Sequence, residues 1–124
     1  MARILLAEDE PDILHMVALK LRQAGFDVIE TGDGFAALEV ARQVPPDLAL
    51  VDIRMPRVDG IEVCRELRAG PRTADIPIIV FTARARPQDR ERAYQAGADD
   101  YIVKPFSPRA LVERVQAALA GVTR

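Results

Sequence analysis

The sequence predicts a doubly wound α/β protein of the (βα)5 kind, a five-stranded parallel sheet with helices on both faces. Three observations predict it. Five short apolar runs recur along the chain, each nearly continuous rather than alternating, which is how strands read when both faces are covered. Segments with apolar residues at helical spacing fill the gaps between the runs. The links are short, and alternation with short links makes a parallel sheet with helices packed on both sides. Right-handed crossovers then narrow the topology sharply. The 124 residues fit one domain at roughly 100–200 residues per domain. The expected unit is a single domain over 1–124 with no second, output domain.

The first strand is Ile4–Ala7. Ile13, Leu14, Val17, Leu21 and Ala24 form the stripe of the first helix, and Gly25 stops it. The second strand is Phe26–Ile29, followed by Glu30 and Thr31. Gly32-Asp33-Gly34 resembles a phosphate loop only weakly; a turn leading to a helix N-cap is the better reading, with Leu38 and Ala41 marking that helix. The third strand is Leu48–Val51, and Val63, Cys64 and Leu67 mark a third helix ended by Gly70-Pro71. The fourth strand is Ile76–Phe81, and Ala93 and Ala96 mark a fourth helix ended by Gly97. The last strand is Tyr101–Val103. Ser107 is read as the N-cap of the final helix, with Pro108 at its first position and Leu111, Val112, Val115 and Leu119 on its stripe.

Composition removes several function classes. There are 17 basic and 19 acidic side chains, for a net charge of −2. That near-balance argues against direct nucleic-acid binding, which normally shows a strong basic excess. Hydrophobic residues at 49% and charged residues at 29% describe a globular chain rather than a disordered one. The single cysteine, Cys64, cannot form an internal disulfide, and its place on an apolar stripe predicts a buried, inert thiol. No apolar run reaches the roughly 18–20 residues that span a bilayer. The apolar N-terminal run is too short for a signal peptide. The expected location is the cytoplasm, with no membrane contact.

In open parallel sheets, ligands bind beyond the carboxyl ends of the strands. Glu8 and Asp9 follow the first strand, Asp52 the third, Thr82 the fourth and Lys104 the fifth. Converging carboxylates repel one another and call for a cation, and oxygen-only ligands suit a hard ion such as Mg²⁺. With the third strand central in the order given below, Asp52 is the candidate nucleophile, since a carboxylate attacking phosphorus forms an acyl phosphate. Lys104 and the Thr82 hydroxyl could then orient and neutralise phosphoryl oxygens. Fifteen of the 17 basic residues are Arg, so a Lys at this spot stands out. Any one of these residues alone reads equally well as a cap or a solvated turn. The five together do not.

At these residues the chain resembles the receiver domain of two-component response regulators. The likeness is carried by Ile4-Leu5-Leu6-Ala7-Glu8-Asp9-Glu10, by Val51 through Gly60, by Phe81-Thr82-Ala83, by Gly97-Ala98-Asp99-Asp100-Tyr101 and by Lys104-Pro105-Phe106. The resemblance implies a flavodoxin-like fold of strand order 2-1-3-4-5, with helices 1 and 5 on one face and 2, 3 and 4 on the other. It implies that Asp52 accepts a phosphoryl group from a sensor histidine kinase or phosphotransfer protein. It implies Mg²⁺ held by Asp9, Asp52 and the backbone carbonyl of Arg54, with Glu8 acting through water. Thr82 and Lys104 match the family's phosphoryl-sensing pair, Tyr101 its aromatic switch, and Lys104-Pro105 a frequent cis peptide. Helix 4, strand 5 and helix 5 match the usual output face, for an unidentified protein partner or a phosphorylation-dependent homodimer. Helix 1 matches the usual kinase contact. Arg54 and Arg84 occupy the two variable positions beside the phosphoryl group, where long cations would modulate its lifetime.

Other residues read as bland. His15 lies off the stripe of its helix, which predicts a solvent- or partner-facing ring. Arg84, Arg86, Arg90 and Arg92, interleaved with Asp89 and Glu91, read as a solvated helix face, with an acidic protein partner as the functional alternative. Two other function classes compete with the receiver. A Mg²⁺-dependent phosphohydrolase of the haloacid-dehalogenase type would carry its nucleophile after the first strand, which here ends Glu8-Asp9-Glu10. A receiver kept only as an interaction module would not need all five site residues.

Overall fold

The computed structural model describes residues 1–122, apart from the Val122 side chain; the expected domain's last two residues lie outside the described ones. Strands β1 (Arg3–Ala7), β2 (Asp27–Thr31), β3 (Leu48–Val51), β4 (Ile78–Thr82) and β5 (Asp100–Val103) alternate with helices α1 (Pro11–Gln23), α2 (Gly34–Gln43), α3 (Gly60–Ala69), α4 (Pro87–Gln95) and α5 (Pro108–Val122). All pairings are parallel and the order is β2-β1-β3-β4-β5, as expected.

The alternation of side chains along each strand divides the core in two. Leu5, Ala7, Ala49, Val51, Ile78 and Val80 point to one face, where Ala37, Leu38, Val63, Leu67 and Ala93 of α2, α3 and α4 cover them. Ile4, Leu6, Leu48, Leu50, Ile79 and Phe81 point to the other, under Val17, Leu21, Leu111 and Val115 of α1 and α5. Both faces are buried, which is why the strands read as continuous apolar runs.

Only β3 keeps the bounds read from the sequence; β1 and β5 each start one residue earlier, and β2 and β4 shift further. β2 runs on through Glu30 and Thr31, because the buried Thr31 hydroxyl donates to the Leu6 carbonyl at 2.8 Å and so satisfies a polar group inside the sheet. β4 starts at Ile78 rather than Ile76, since Pro77 has no N–H to donate to the ladder. Its carbonyl still accepts from the Ala49 N–H at 3.0 Å. At the end of the sheet away from the strand carboxyl ends, Arg68 ties three segments together. Its guanidinium donates to the carbonyls of Ala74, Ile76 and Gly97 and to Asp99.

Candidate functional site

The carboxyl ends of β1, β3, β4 and β5 open onto one cleft of about 600 Å³, lined by Asp9, Asp52, Arg54, Thr82 and Lys104 among others. Each polar group stands there because its strand ends there. The Asp52 N–H donates to the Ala7 carbonyl at 3.0 Å, and the Lys104 N–H to the Thr82 carbonyl at 2.7 Å. The sheet ladder thus reaches into the site and sets the relative height of its residues.

Asp52 is 5% exposed and Glu8 fully buried, while Asp9 faces solvent. One carboxylate oxygen from each of the three lies within 4.8 Å of the others. The Lys104 ammonium donates to Glu8 Oε1 at 2.5 Å and to Asp52 Oδ2 at 2.9 Å. Arg54 N–H donates to Asp52 Oδ1 at 3.3 Å, and Glu10 N–H to Glu8 Oε2 at 3.1 Å. Burial pushes the Glu8 carboxyl up to about 7, against the lowering pull of Lys104. Burial also disfavours the Lys104 ammonium, but its two carboxylate partners outweigh that and hold its pKa above the ordinary value. Three oxygen donors around buried negative charge are the chemistry a hard divalent cation selects. The residues present therefore fit Mg²⁺.

Thr82 is fully buried, and its hydroxyl accepts the Arg84 N–H at 3.3 Å. Tyr101 lies outside the cleft lining. Its ring is turned inward, 4% exposed, and its hydroxyl donates to the Arg84 carbonyl at 2.8 Å. The Lys104–Pro105 peptide is cis. Glu30, on the edge strand β2, is not part of the cleft. It pairs with Arg22 at 2.8 Å and with the exposed His15 ring at 2.9 Å.

The loop after Asp52 is held by contacts that sequence reasoning missed. Gly60 opens α3 so close to Asp52 that a Cβ there would stand 2.1 Å from the Asp52 carbonyl oxygen. Gly34 opens α2 equally close to Val58, with 2.0 Å left for a Cβ. Between them Arg57 adopts a left-handed backbone (φ 73°) and lays its guanidinium over the Phe35 ring at 4.3 Å. The turn read before α2 is present, with Asp33 Oδ1 accepting the Ala36 N–H at 2.7 Å. Asp59 caps α3 through the Glu62 N–H in the same way. The alternating charge run is a solvated face at Arg86, Arg90, Glu91 and Arg92, as read, and departs from that reading at Asp89. Asp89 is buried at 2% exposure and draws Arg84 and Arg86 to itself.

The family model for the response regulator receiver domain matches residues 4–116. The DNA-binding dual master transcriptional regulator RpaA of Synechocystis is 42% identical over the whole chain, which covers 52% of that protein. The DNA-binding response regulator MtrA of Mycolicibacterium smegmatis is 44% identical over 94% of the chain and 50% of its own length. The chain therefore spans about half the length of the curated relatives it matches. Among solved structures, the receiver domain of the sensor histidine kinase PA1611 from Pseudomonas aeruginosa, described with magnesium coordinated in its active-site cleft, superposes with a TM-score of 0.89. It is 37% identical, over 96% of this chain and 98% of that one. A match of this extent in sequence and in fold leaves one assignment: the chain belongs to the receiver domain family of two-component response regulators, a signalling domain.

Proposed function

We propose that Asp52 is the phosphoacceptor of a phosphorylation-controlled switch. The observation that carries this reading is the Asp52 carboxylate at the end of the central strand, 5% exposed, with Lys104 on one oxygen and the Arg54 N–H on the other. A carboxylate oxygen of Asp52 attacks phosphorus, the bond to the donor's histidine nitrogen breaks, and an acyl phosphate remains on the chain. Glu8, Asp9, Asp52 and the Arg54 carbonyl would hold Mg²⁺. When bound, the ion supplies neutralisation of phosphoryl charge. Lys104 stands ready to exchange part of its carboxylate contact for a phosphoryl oxygen, and the Thr82 hydroxyl faces the same cleft.

The readout runs through Thr82 and Tyr101. Their shared partner, Arg84, couples the phosphoryl-facing hydroxyl to the position of the aromatic ring. Phosphorylation then shifts a pre-existing equilibrium on the α4–β5–α5 face. The partners are a sensor histidine kinase or phosphotransfer protein upstream and a protein, or a second copy of the chain, at that face. The 124 residues act as one receiver unit in the cytoplasm; among the described residues no helix is long and apolar enough to cross a membrane. RpaA and MtrA are DNA-binding regulators by name and about twice as long, so the net charge of −2 speaks only for the matched half making no nucleic-acid contact. Arg54 and Arg84 modulate phosphoryl lifetime; unchanged autodephosphorylation in both Arg54→Ala and Arg84→Ala would refute that part.

The deciding experiment incubates the protein with Mg²⁺ and acetyl phosphate and seeks an acid-stable, alkali-labile adduct. A stoichiometric adduct in wild type, lost in Asp52→Asn, is the expected result. Multiple turnover of unrelated phosphate esters would favour a phosphohydrolase instead. No adduct from any donor would overturn the switch.

A further inference from the structure

Asp89 stands in the first turn of α4, yet its side chain is 2% exposed. Arg86 Nε donates to its Oδ2 at 3.0 Å, and Arg84 Nη1 lies 3.7 Å from its Oδ1. The Arg86 hydrogen bond keeps the carboxyl below its ordinary range, so it is a carboxylate at neutral pH. Arg84 has two further partners through its backbone. Its N–H meets the Thr82 hydroxyl and its carbonyl meets the Tyr101 hydroxyl. One residue therefore touches the buried carboxylate, the phosphoryl-facing hydroxyl and the aromatic ring.

The geometry points to Asp89 as a positioning residue that fixes the β4–α4 connection and so holds Tyr101 inward. This rests on Thr82 and Tyr101 being the switch. A carboxylate so far out of water is tolerated only with cations in contact. Arg84 and Arg86 thus cannot both swing into solvent without leaving it unpaired. With its guanidinium held, the Arg84 carbonyl stays where the Tyr101 hydroxyl reaches it. Arg90, one residue after Asp89, adds a second hold by placing its guanidinium 5.3 Å from the Tyr101 ring centroid. Such an anchor biases the two-state equilibrium toward the inward ring, leaving less for phosphorylation to do. Removing it should release Tyr101 and make the inward state depend on phosphorylation.

The test uses a Tyr94→Phe background, in which Tyr101 is the sole tyrosine of a chain without tryptophan. Acrylamide quenching then reads the exposure of that ring directly. In unphosphorylated protein, adding Asp89→Ala should raise the quenching constant roughly threefold or more, as an inward population becomes a minor one. Acetyl phosphate with Mg²⁺ should return it toward the parent value. Asp89→Asn, which keeps the shape and drops the charge, should show the same release if the alanine variant fails to fold. A quenching constant equal to the parent's, with only a lower melting temperature, means that Asp89 merely stabilises α4 and overturns the inference. Release in Asp89→Ala that phosphorylation does not reverse supports the anchor and refutes the Thr82–Tyr101 switch beneath it.

Discussion

Replacing Lys104 by Met removes a cation from between two buried carboxylates while keeping an unbranched stem beside Phe81, whose ring centroid lies 4.9 Å from the ammonium. The ammonium contacts Glu8 and Asp52 at 2.5 and 2.9 Å, and neither residue is more than 5% exposed. At an effective dielectric near 20, a pair at the longer distance has a gross attraction of about 6 kcal/mol. Desolvation cancels much of this in the intact site. Truncating one partner does not recover the cancelled part. Asp52 stays buried without its cation, and Glu8, which Lys104 holds down to about 7, must take up a proton to stay buried. Such truncations cost about 3–5 kcal/mol. At roughly 4 °C per kcal/mol for a domain of this size, the melting temperature in EDTA should fall by roughly 12–20 °C. Differential scanning calorimetry of wild type, Lys104→Met, Glu8→Gln and the double variant separates charge from packing. If uncompensated charge is the cause, Glu8→Gln in the Lys104→Met background should restore about 2 kcal/mol. Mg²⁺ at a hundredfold excess over its Kd should restore about 2.7 kcal/mol to the single variant. A Lys104→Met melt within a few degrees of wild type, or a double variant less stable than the single, would refute the reasoning.

Gly60→Ala should be among the more damaging single-methyl changes in the chain, because the added carbon meets backbone, the Asp52 carbonyl at 2.1 Å, rather than a side chain that can yield. A loss of about 1–3 kcal/mol in urea unfolding, together with slower adduct formation at Asp52, is expected. Cys64 is fully buried and its thiol is pushed up to about 12 by burial, so an aromatic disulfide reagent at mildly alkaline pH should leave native protein unlabelled and label it on unfolding. Glu30 is held below the usual carboxylate range, chiefly by its hydrogen bond with Arg22. A depressed folded pKa gives stability that is present above the unfolded value of 4.5 and fades as pH falls through the lower folded value. Arg22→Ala should therefore melt lower than wild type at neutral pH, and the two curves should converge under acid. A gap that persists unchanged at low pH would show that Arg22 acts through packing.

The strand ends were legible because two local signals coincide there: an apolar run stops, and a polar group of phosphoryl chemistry follows. Glu8, Asp9, Asp52, Thr82 and Lys104 each sit at such a point, and parallel order carries them to one edge without further information. What was not legible lies one layer out, where contacts join residues that no local pattern links. Asp89 has the sequence surroundings of a solvated face, alternating charges on a helix. Pro87 starts α4 directly after Arg86, and the Arg84 and Arg86 side chains close over the Asp89 carboxylate. Periodicity sees only the helix, not the connection folded against it. Arg57 is hidden for a different reason. A left-handed backbone ordinarily signals itself by glycine or asparagine. Here a long cation takes the conformation and stacks on Phe35, with Asp33 4.0 Å from its guanidinium. Non-glycine residues persist in that region only where their surroundings over-determine them. The surroundings here are the N-terminus of α2 and the loop that follows Asp52. Residues of the candidate site were thus readable from strand ends, while residues that hold that site in place were set by packing between connections. Arg57, in the β3–α3 connection, and Asp89, where α4 follows β4, belong to the second kind. Substitutions there should alter how the switch is poised while leaving the acceptor itself intact.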